Sequence, residues 1–259
     1  MKKIFALLLA VLMIATMFAG CSSNGSNDLG TIENGKLIMS TNAAFPPYEM
    51  TDDNGNYIGI DVEVAQAIAK KLNLELQIDD MEFTAALEAA QKKKSDIVMA
   101  GVTITDDRLL VMDFSDSYAT GIQVVIVPED SDIVSLDDLE GKTIGTQLGT
   151  TGYLYASDTP ENGGYGEENV IGYENGITAV QALMADQIDA VIIDNAPAQE
   201  FVKNNPGLKI LEAEWVVENY AIGFAKGNTK LIDAVNKALS ELIADGTVQG
   251  IVDKYIPAE

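Results

Sequence analysis

The sequence predicts an α/β fold in which mostly parallel strands alternate with helices. Apolar, strand-like segments alternate with amphipathic helical segments in the order β-α-β-α-β over residues 36–100, and a second alternating series follows over residues 143–211. Hydrophobic residues make up 47% of the chain, which is enough for a substantial core. Parallel strands joined by helices require right-handed crossovers, so each series predicts a sheet flanked by helices.

The first series begins with a strand over residues 36–41 and a loop in which Pro46 and Pro47 impose an extended backbone. Residues 52–55 form a predicted hairpin turn. In the helix predicted over residues 59–72, the apolar side chains share one face. The series continues with a strand, a helix and a strand over residues 74–78, 83–92 and 96–100.

The second series is preceded by a strand over residues 121–127 and a short helix over 135–142. Its predicted strands cover residues 143–147, 169–173, 189–194 and 208–211, with helices over 178–185 and from 195 onward. An extended segment over 215–225 and helices over 229–246 and 248–255 complete the chain. If these last elements belonged to the second series, that series would be too large to match the first in size.

Arg108 is the only arginine, and it follows a strand that ends in a turn containing Gly101 and Thr103. A guanidinium group binds a carboxylate through two parallel hydrogen bonds, which an ammonium group cannot do. We therefore expect Arg108 to hold the carboxylate of a small ligand. The alternative is a structural ion pair with Asp106 or Asp107.

Other residues lie where open α/β sheets bind ligands, at the carboxyl ends of strands. Phe45 and Tyr48 follow the first strand, although aromatic residues beside prolines also serve as packing. Residues 148–152 open a helix whose free N–H groups suit an anion, but the Gly-Lys-Ser/Thr of a nucleotide-binding loop is absent. Asp194 ends an apolar strand and also suits the N-cap of the next helix.

Three blocks of sequence carry a family resemblance. The segment over residues 59–72 resembles the signature of bacterial extracellular solute-binding proteins of family 3, which serve ABC importers of polar amino acids. Residues 44–49 and residues 100–116 resemble two further blocks of that family. The resemblance covers roughly residues 36–256.

The resemblance implies the two-lobed periplasmic-binding-protein fold of type II, in which each lobe is a mostly parallel sheet flanked by helices. We expect residues 36–117 together with 221–259 to form lobe 1 and residues 123–215 to form lobe 2. Residues 118–122 and 216–220 would be the two hinge strands. This arrangement accounts for the C-terminal helices, which complete lobe 1.

The resemblance also implies a role for each site residue in binding a free amino acid. Arg108 and the Thr103 hydroxyl would hold the α-carboxylate from lobe 1, and Thr151 would add an N–H from lobe 2. Asp194 and the Gly101 carbonyl would bind the α-ammonium group. Two aromatic residues, Phe45 and Phe83, would enclose the ligand side chain.

Selectivity for the side chain is expected to depend on Asn42 and Gln147. Asn42 stands where relatives that select cationic side chains often carry an acid, and Gln147 stands where others carry Lys or an apolar residue. Two amides favour a neutral polar ligand such as glutamine, because a buried cation without a carboxylate partner is costly. The net charge of −24 favours lysine or arginine instead.

The N-terminus resembles the signal peptide of a bacterial lipoprotein. A basic start, an apolar run and a small-residue cleavage site precede Cys21, the only cysteine. We expect residues 1–20 to be removed, Cys21 to carry lipid such as palmitate, and residues 21–35 to form a flexible tether. The protein would then be a monomer on the outer face of the cytoplasmic membrane, periplasmic if an outer membrane is present, delivering its ligand to a permease.

Composition also bears on the competing classes of protein. The absence of histidine excludes Ser-His-Asp catalysis and histidine-ligated metal sites, and we expect no metal or cofactor. The strong negative charge argues against nucleic-acid binding. Some proteins with this fold are dehydratases of dianionic acids, which would require more than one arginine. A ligand sensor remains an open alternative, because a receptor and a permease both recognise the closed form.

Overall fold

The computed structural model describes residues 29–213 and 215–256. The predicted signal peptide, Cys21 and the tether as far as residue 28 lie outside these residues. In the part of the chain that is described, no helix is both long enough and apolar enough to cross a membrane.

The described strands form one nine-stranded sheet and one small three-stranded sheet. The strands are β1 (Lys36–Thr41), β2 (Ala44–Phe45), β3 (Glu49–Thr51), β4 (Tyr57–Ile58), β5 (Glu75–Asp80), β6 (Ile97–Val98), β7 (Met112–Pro128), β8 (Ile144–Gln147), β9 (Val170–Tyr173), β10 (Ala190–Asp194), β11 (Leu208–Ile210) and β12 (Val216–Ala225). The order in the large sheet is β5-β1-β6-β12-β7-β10-β8-β9, with β11 also paired to β7, and β2-β3-β4 form the small sheet.

The described helices flank the large sheet. They are α1 (Ile60–Leu72), α2 (Phe83–Gln91), α3 (Asp106–Val111), α4 (Thr151–Ser157), α5 (Gly176–Met184), α6 (Asn195–Asn204), α7 (Thr229–Ala244) and α8 (Thr247–Tyr255). The prediction of a helix over residues 135–142 is wrong in type, because only Leu136–Leu139 forms a 3₁₀ turn. The Ser135–Asp138 capping box begins that turn, and Gly141 follows it with a positive φ of 72°.

The pairing confirms the parallel arrangement that the alternating pattern predicts. β1 pairs in parallel with β5 on one side and with β6 on the other. β8 pairs in parallel with β9 and with β10. We call β5, β1 and β6 with their helices the first half, and β10, β8 and β9 with theirs the second half.

Two long antiparallel strands connect the halves. β7 is a single strand of 17 residues, and it pairs with β12 from Val216 opposite Gln123 to Ala225 opposite Met112. The sequence predicts a strand only over residues 121–127, because the polar residues that precede it lack apolar periodicity. Pairing with β12 holds that polar part in the sheet. The predicted hinge segments, 118–122 and 216–220, lie opposite each other in this pair.

Apolar faces of the helices form the core of each half. In α1, Val64 and Ile68 are fully buried and Leu72 is partly buried, as the predicted common face requires. Burial of each such side chain contributes roughly 1.5–3 kcal/mol. The C-terminal helix α7 packs in the same cluster through Leu231, Val235 and other residues, which places the end of the chain on the first half.

Candidate functional site

A narrow cavity lies between the two halves at the carboxyl ends of their strands. All nine predicted ligand-binding residues line it, together with three residues that were not predicted. The predicted residues are Asn42, Phe45, Phe83, Gly101, Thr103, Arg108, Gln147, Thr151 and Asp194, and the additional ones are Glu49, Ala100 and Thr150. The predicted residues are therefore brought together from segments far apart in the chain.

The Arg108 side chain is buried between the halves. The Thr105 hydroxyl caps α3 by accepting a 3.2 Å hydrogen bond from the Arg108 N–H, which fixes the start of the helix. The guanidinium donates to the Thr103 carbonyl (2.8 Å, Nη1) and to the Gly149 carbonyl (3.2 Å, Nη2). It also lies over the Phe83 ring, 5.4 Å from the centroid. The guanidinium thus contacts both halves.

The alternative role for Arg108 was an ion pair with a neighbouring aspartate. Among the described residues, no salt bridge joins Arg108 to Asp106 or Asp107, and Arg108 is only 8% exposed. Burial lowers the pKa of Arg108, and the negative charges of Glu218 and Asp194 partly offset that effect. The side chain remains a cation in a buried acidic environment.

Asp194 faces Arg108 from the second half. It ends β10 and stands at the N-cap of α6, but its side chain makes no capping hydrogen bond. The carboxylate instead accepts a short hydrogen bond from the Tyr220 hydroxyl. Burial and the nearby Glu218 raise the pKa of Asp194 to about 7. The pKa of the Asp194 carboxyl thus lies close to neutral pH.

Thr103 belongs to a buried polar cluster that the sequence analysis missed. Its hydroxyl donates to Glu218 Oε2 (3.1 Å), which also accepts from Gln123 Nε2 (3.0 Å). Glu218 is only 3% exposed, and its other oxygen, Oε1, has no partner among the described residues. Strict alternation in β12 could have revealed Glu218, because it faces the same side as the buried Tyr220 two residues later.

Phe45 and Gly101 make a close contact at one wall. Gly101 has a φ of +55°, and a Cβ at this position would come within 2.7 Å of Phe45 Cε1. The Gly101 N–H donates to Asp61 Oδ2 (3.0 Å), which holds the turn in place. Phe45 stacks on Tyr48 with ring centroids 5.8 Å apart. Tyr48 packs against Tyr220 and does not line this cavity.

Asn42 and Gln147 meet across the cavity. Gln147 Nε2 donates to Asn42 Oδ1 (2.8 Å) and more weakly to the Glu174 carbonyl (3.3 Å). Asn42 Nδ2 donates to the Met81 carbonyl (2.9 Å). The two amides thus satisfy each other and the neighbouring backbone at this end of the cavity.

Glu49 is a second acidic group in the wall that was not predicted. It is fully buried, and its carboxyl group lies against that of Asp61. Burial and the adjacent Asp61 raise the pKa of Glu49 well above its ordinary value. Asp61 accepts from the Tyr118 hydroxyl (2.6 Å), and burial raises its pKa to about 6. Burial and the neighbouring carboxyl therefore favour the protonated form of Glu49.

Thr151 begins α4 at the opposite wall. The helix is capped by Thr150, whose hydroxyl accepts from the Tyr153 N–H (3.3 Å). Thr151 is buried, and the preceding Gly149 supplies the carbonyl that accepts from Arg108. Thr151 thus lines the same cavity as the guanidinium, from the second half.

Residues 37–258 match the bacterial extracellular solute-binding proteins, family 3. The chain is 35% identical over 263 residues to the arginine-binding extracellular protein ArtP of Bacillus subtilis (strain 168), covering all of both chains. It is 33% identical over 270 residues to a probable histidine-binding protein of Neisseria gonorrhoeae, covering 100% of this chain and 97% of the relative.

Solved structures agree with this assignment. An ancestral arginine-binding protein bound to arginine has a TM-score of 0.80 and 40% identity, covering 86% of this chain and 98% of the other. The same kind of protein bound to glutamine has a TM-score of 0.81 and 39% identity, covering 87% and 100%. The predicted two-lobed type II fold is thereby confirmed. The chain belongs to the bacterial extracellular solute-binding proteins, family 3, whose members bind amino acids outside the cytoplasm.

Proposed function

We propose that this protein binds one free amino acid between its two halves and delivers it to the permease of an ABC importer. The observation that carries the proposal is that Arg108 and Asp194, which are both buried, line the same cavity. Arg108 would bind the α-carboxylate and Asp194 the α-ammonium group. Each such charge-assisted hydrogen bond contributes about 1.5–3 kcal/mol, provided that water is excluded.

Binding would close a cleft. We propose residues 36–117 with 221–259 as lobe 1, residues 123–215 as lobe 2, and 118–122 and 216–220 as the hinge. The antiparallel pairing of the two proposed hinge segments supports this division. Bonds from Arg108 to Gly149 and from Gln147 to Asn42 join the lobes, and a ligand that contacts both lobes would favour the closed form.

A neutral polar side chain such as that of glutamine is the first candidate for the ligand. Asn42 and Gln147 offer amide donors and acceptors, and a ligand amide could replace the bond that they make with each other. A glutamine-bound ancestral arginine-binding protein is similar to this chain, which supports the candidate.

A basic side chain is the second candidate, and one observation favours it. Glu49 is a buried carboxyl in the cavity wall, and with Asp194 it places two acidic groups there against one arginine. A cationic side chain would favour the ionised form of Glu49, so a ligand with two positive groups and one negative group would balance the two carboxylates and Arg108. The arginine-binding relatives support this candidate as well.

The remaining features of the proposal concern location and chemistry. We propose a monomer held by lipid on Cys21 at the outer face of the membrane, without a cofactor, a metal or nucleic acid as partner. The relatives are binding proteins, which supports a function other than catalysis. Dehydratase activity would be detected as turnover of prephenate-like acids, and a sensor would act without the permease.

Calorimetric titration with each of the twenty amino acids tests the proposal. We expect one or a few of them to bind, and Arg108→Lys to weaken that binding by about tenfold or more because the paired hydrogen bonds are lost. Lys203→Arg, an exposed change far from the cavity, is the matched control and should bind normally. Failure of every amino acid to bind, or unchanged affinity in Arg108→Lys, would contradict the proposal.

A further inference from the structure

The buried carboxylate of Glu218 lies behind the cavity wall on the strand that connects the two halves. It does not line the cavity itself. Glu218 stands opposite Gly121 in the β7–β12 pair, within one of the proposed hinge segments. Its Oε2 atom accepts from Thr103 of the first half and from Gln123 of β7, and the Tyr155 hydroxyl of α4 lies beside it. Glu218 can therefore affect a ligand in the cavity only through the residues that it contacts, of which Thr103 lines the cavity.

The bond from Thr103 decides what its hydroxyl can offer to a ligand. A hydroxyl group has one proton and two lone pairs. Because the Thr103 proton is directed to Glu218 Oε2, the oxygen can act only as an acceptor towards the cavity. An acceptor suits an ammonium group, whereas a carboxylate requires a donor. Thr103 and Asp194 then both offer acceptors to the α-ammonium group, and Arg108 binds the α-carboxylate.

The environment of Glu218 keeps this direction fixed. Gln123 is 1% exposed, and its Nε2 holds the accepting oxygen from the other side. Thr103 is also buried, and it is bridged to Tyr220 of the same strand. A buried carboxylate is costly to desolvate, and each hydrogen bond that it accepts offsets part of that cost, so the Thr103 proton stays directed to Oε2.

We propose that Glu218 is a positioning residue of the amino-acid site: it orients the Thr103 hydroxyl so that its oxygen accepts from the α-ammonium group of the ligand. The inference rests on the proposed function and revises the expectation that the Thr103 hydroxyl binds the α-carboxylate. The role requires an acceptor at position 218, and it does not require a charge.

Two substitutions separate orientation from charge. Glu218→Gln keeps an oxygen that can accept from both Thr103 and Gln123, so we expect affinity within about threefold of the wild type. Glu218→Met removes the acceptor, and we expect affinity to fall by about tenfold or more. If the charge of Glu218 mattered instead, Glu218→Gln would lose as much as Glu218→Met, and that result would overturn the proposal.

A double-mutant cycle tests whether Glu218 acts through Thr103. Thr103→Val is nearly isosteric and should itself weaken binding by about tenfold, while Thr103→Ser should retain affinity. In the Thr103→Val background, Glu218→Met should change affinity by less than about twofold. Additive losses would show that Glu218 acts by another route.

The α-ammonium group supplies a readout that does not depend on folding of the Glu218 variants. Arginine and 5-guanidinopentanoate, or glutamine and 4-carbamoylbutanoate, differ only in that group. Thr103→Val should weaken binding of the amino acid and leave binding of the deaminated acid unchanged; an equal loss for both would refute the assignment. If the wild-type protein binds none of the amino acids, that result would instead refute the proposed function.

Discussion

Gln147 Nε2 donates a 2.8 Å hydrogen bond to Asn42 Oδ1 and so joins the second half of the molecule to the first across the cavity. Asn42 follows β1 and Gln147 ends β8, so the bond connects the carboxyl ends of two strands that belong to different parallel groups. The same bond can form only when the halves are close together. The side-chain end of the cavity and the closed arrangement therefore depend on the same pair of amides.

Asn42→Asp should shift selectivity towards basic amino acids. A carboxylate at this position keeps the acceptor for Gln147 and adds a partner for a ligand cation, which is worth about 1.5–3 kcal/mol in a buried site. We expect the affinity for arginine relative to glutamine to rise by at least about tenfold. Competition calorimetry with the two amino acids measures that ratio directly.

The matched control for this change is Asn236→Asp on α7. Its Oδ1 accepts from the Asp116 N–H, so the substitution adds the same charge without removing that bond. The arginine-to-glutamine ratio should stay at the wild-type value. A ratio unchanged in Asn42→Asp as well would show that Asn42 does not determine the side-chain preference.

Asp194 should make binding dependent on pH. Its pKa of about 7 means that the carboxyl is largely protonated below neutral pH, whereas an α-ammonium group requires the carboxylate. We therefore expect affinity to rise as the pH increases from 5 to 8, with proton release on binding below pH 7. Calorimetry in two buffers of different ionisation enthalpy detects the released proton.

Asp194 should also affect the unfolding free energy measured without added amino acid, which should fall as the pH rises. Because its folded pKa lies above the unfolded value near 3.9, the native state binds the extra proton between pH 4 and pH 7. The contribution of Asp194 is therefore fully present below pH 4 and is lost as the pH rises through 7. Asp194→Asn should remove this part of the pH dependence of the unfolding free energy and should weaken binding. Persistence of both dependences in Asp194→Asn would assign them to Asp61 or Glu49.

Glu49→Gln should distinguish the two candidate ligands. If the ligand carries a cationic side chain, removal of this buried carboxyl should weaken arginine binding by about tenfold or more. Glutamine binding should change by less than about twofold, because the substituted amide fills the same volume and a neutral ligand side chain needs no carboxylate partner. Titration of both amino acids into both proteins gives the comparison.

Glu161→Gln is the control for the loss of one negative charge, since Glu161 is exposed in the 3₁₀ turn Pro160–Asn162. It should bind both amino acids as the wild type does. Equal losses for arginine and glutamine in Glu49→Gln would mean that Glu49 supports the fold of the wall and does not select the side chain.

The fold was largely predictable because each half consists of local β-α-β units whose periodicity is visible in the sequence. The convergence of the proposed ligand-binding residues on one cavity was predictable for a related reason: the carboxyl ends of parallel strands meet, which brings Asn42, Arg108 and Asp194 to the same cavity. Polar residues 112–120 were missed as strand, since pairing with β12 and not apolar alternation holds them in the sheet.

The buried acids Glu49 and Glu218 could not be assigned in the same way. A charged residue in a sequence is expected to be exposed, and burial is shown only by the strands and helices that pack around it. Alternation in β12 indicates the face of the strand on which the Glu218 side chain lies, but it does not indicate that Thr103 lies within hydrogen-bonding distance of that side chain. That contact spans 115 residues of sequence and depends on the crossing of β12 past the turn.

Gly101→Ala should destabilise the protein and weaken ligand binding together. The backbone there has a φ of +55°, and the added methyl group would lie 2.7 Å from Phe45 Cε1, so either the turn or the aromatic wall must move. A strained residue of this kind costs about 1–3 kcal/mol. Thermal unfolding measures the loss of stability, and calorimetry measures the accompanying loss of affinity.

Gly250→Ala is the matched control, because Gly250 lies in α8 with no atom within 4 Å of an added Cβ. A helical glycine of this type gains about 0.5–1 kcal/mol on replacement by alanine, so the control should be slightly more stable and bind normally. Equal behaviour of the two variants would show that the contact between Phe45 and the backbone of Gly101 does not constrain the cavity.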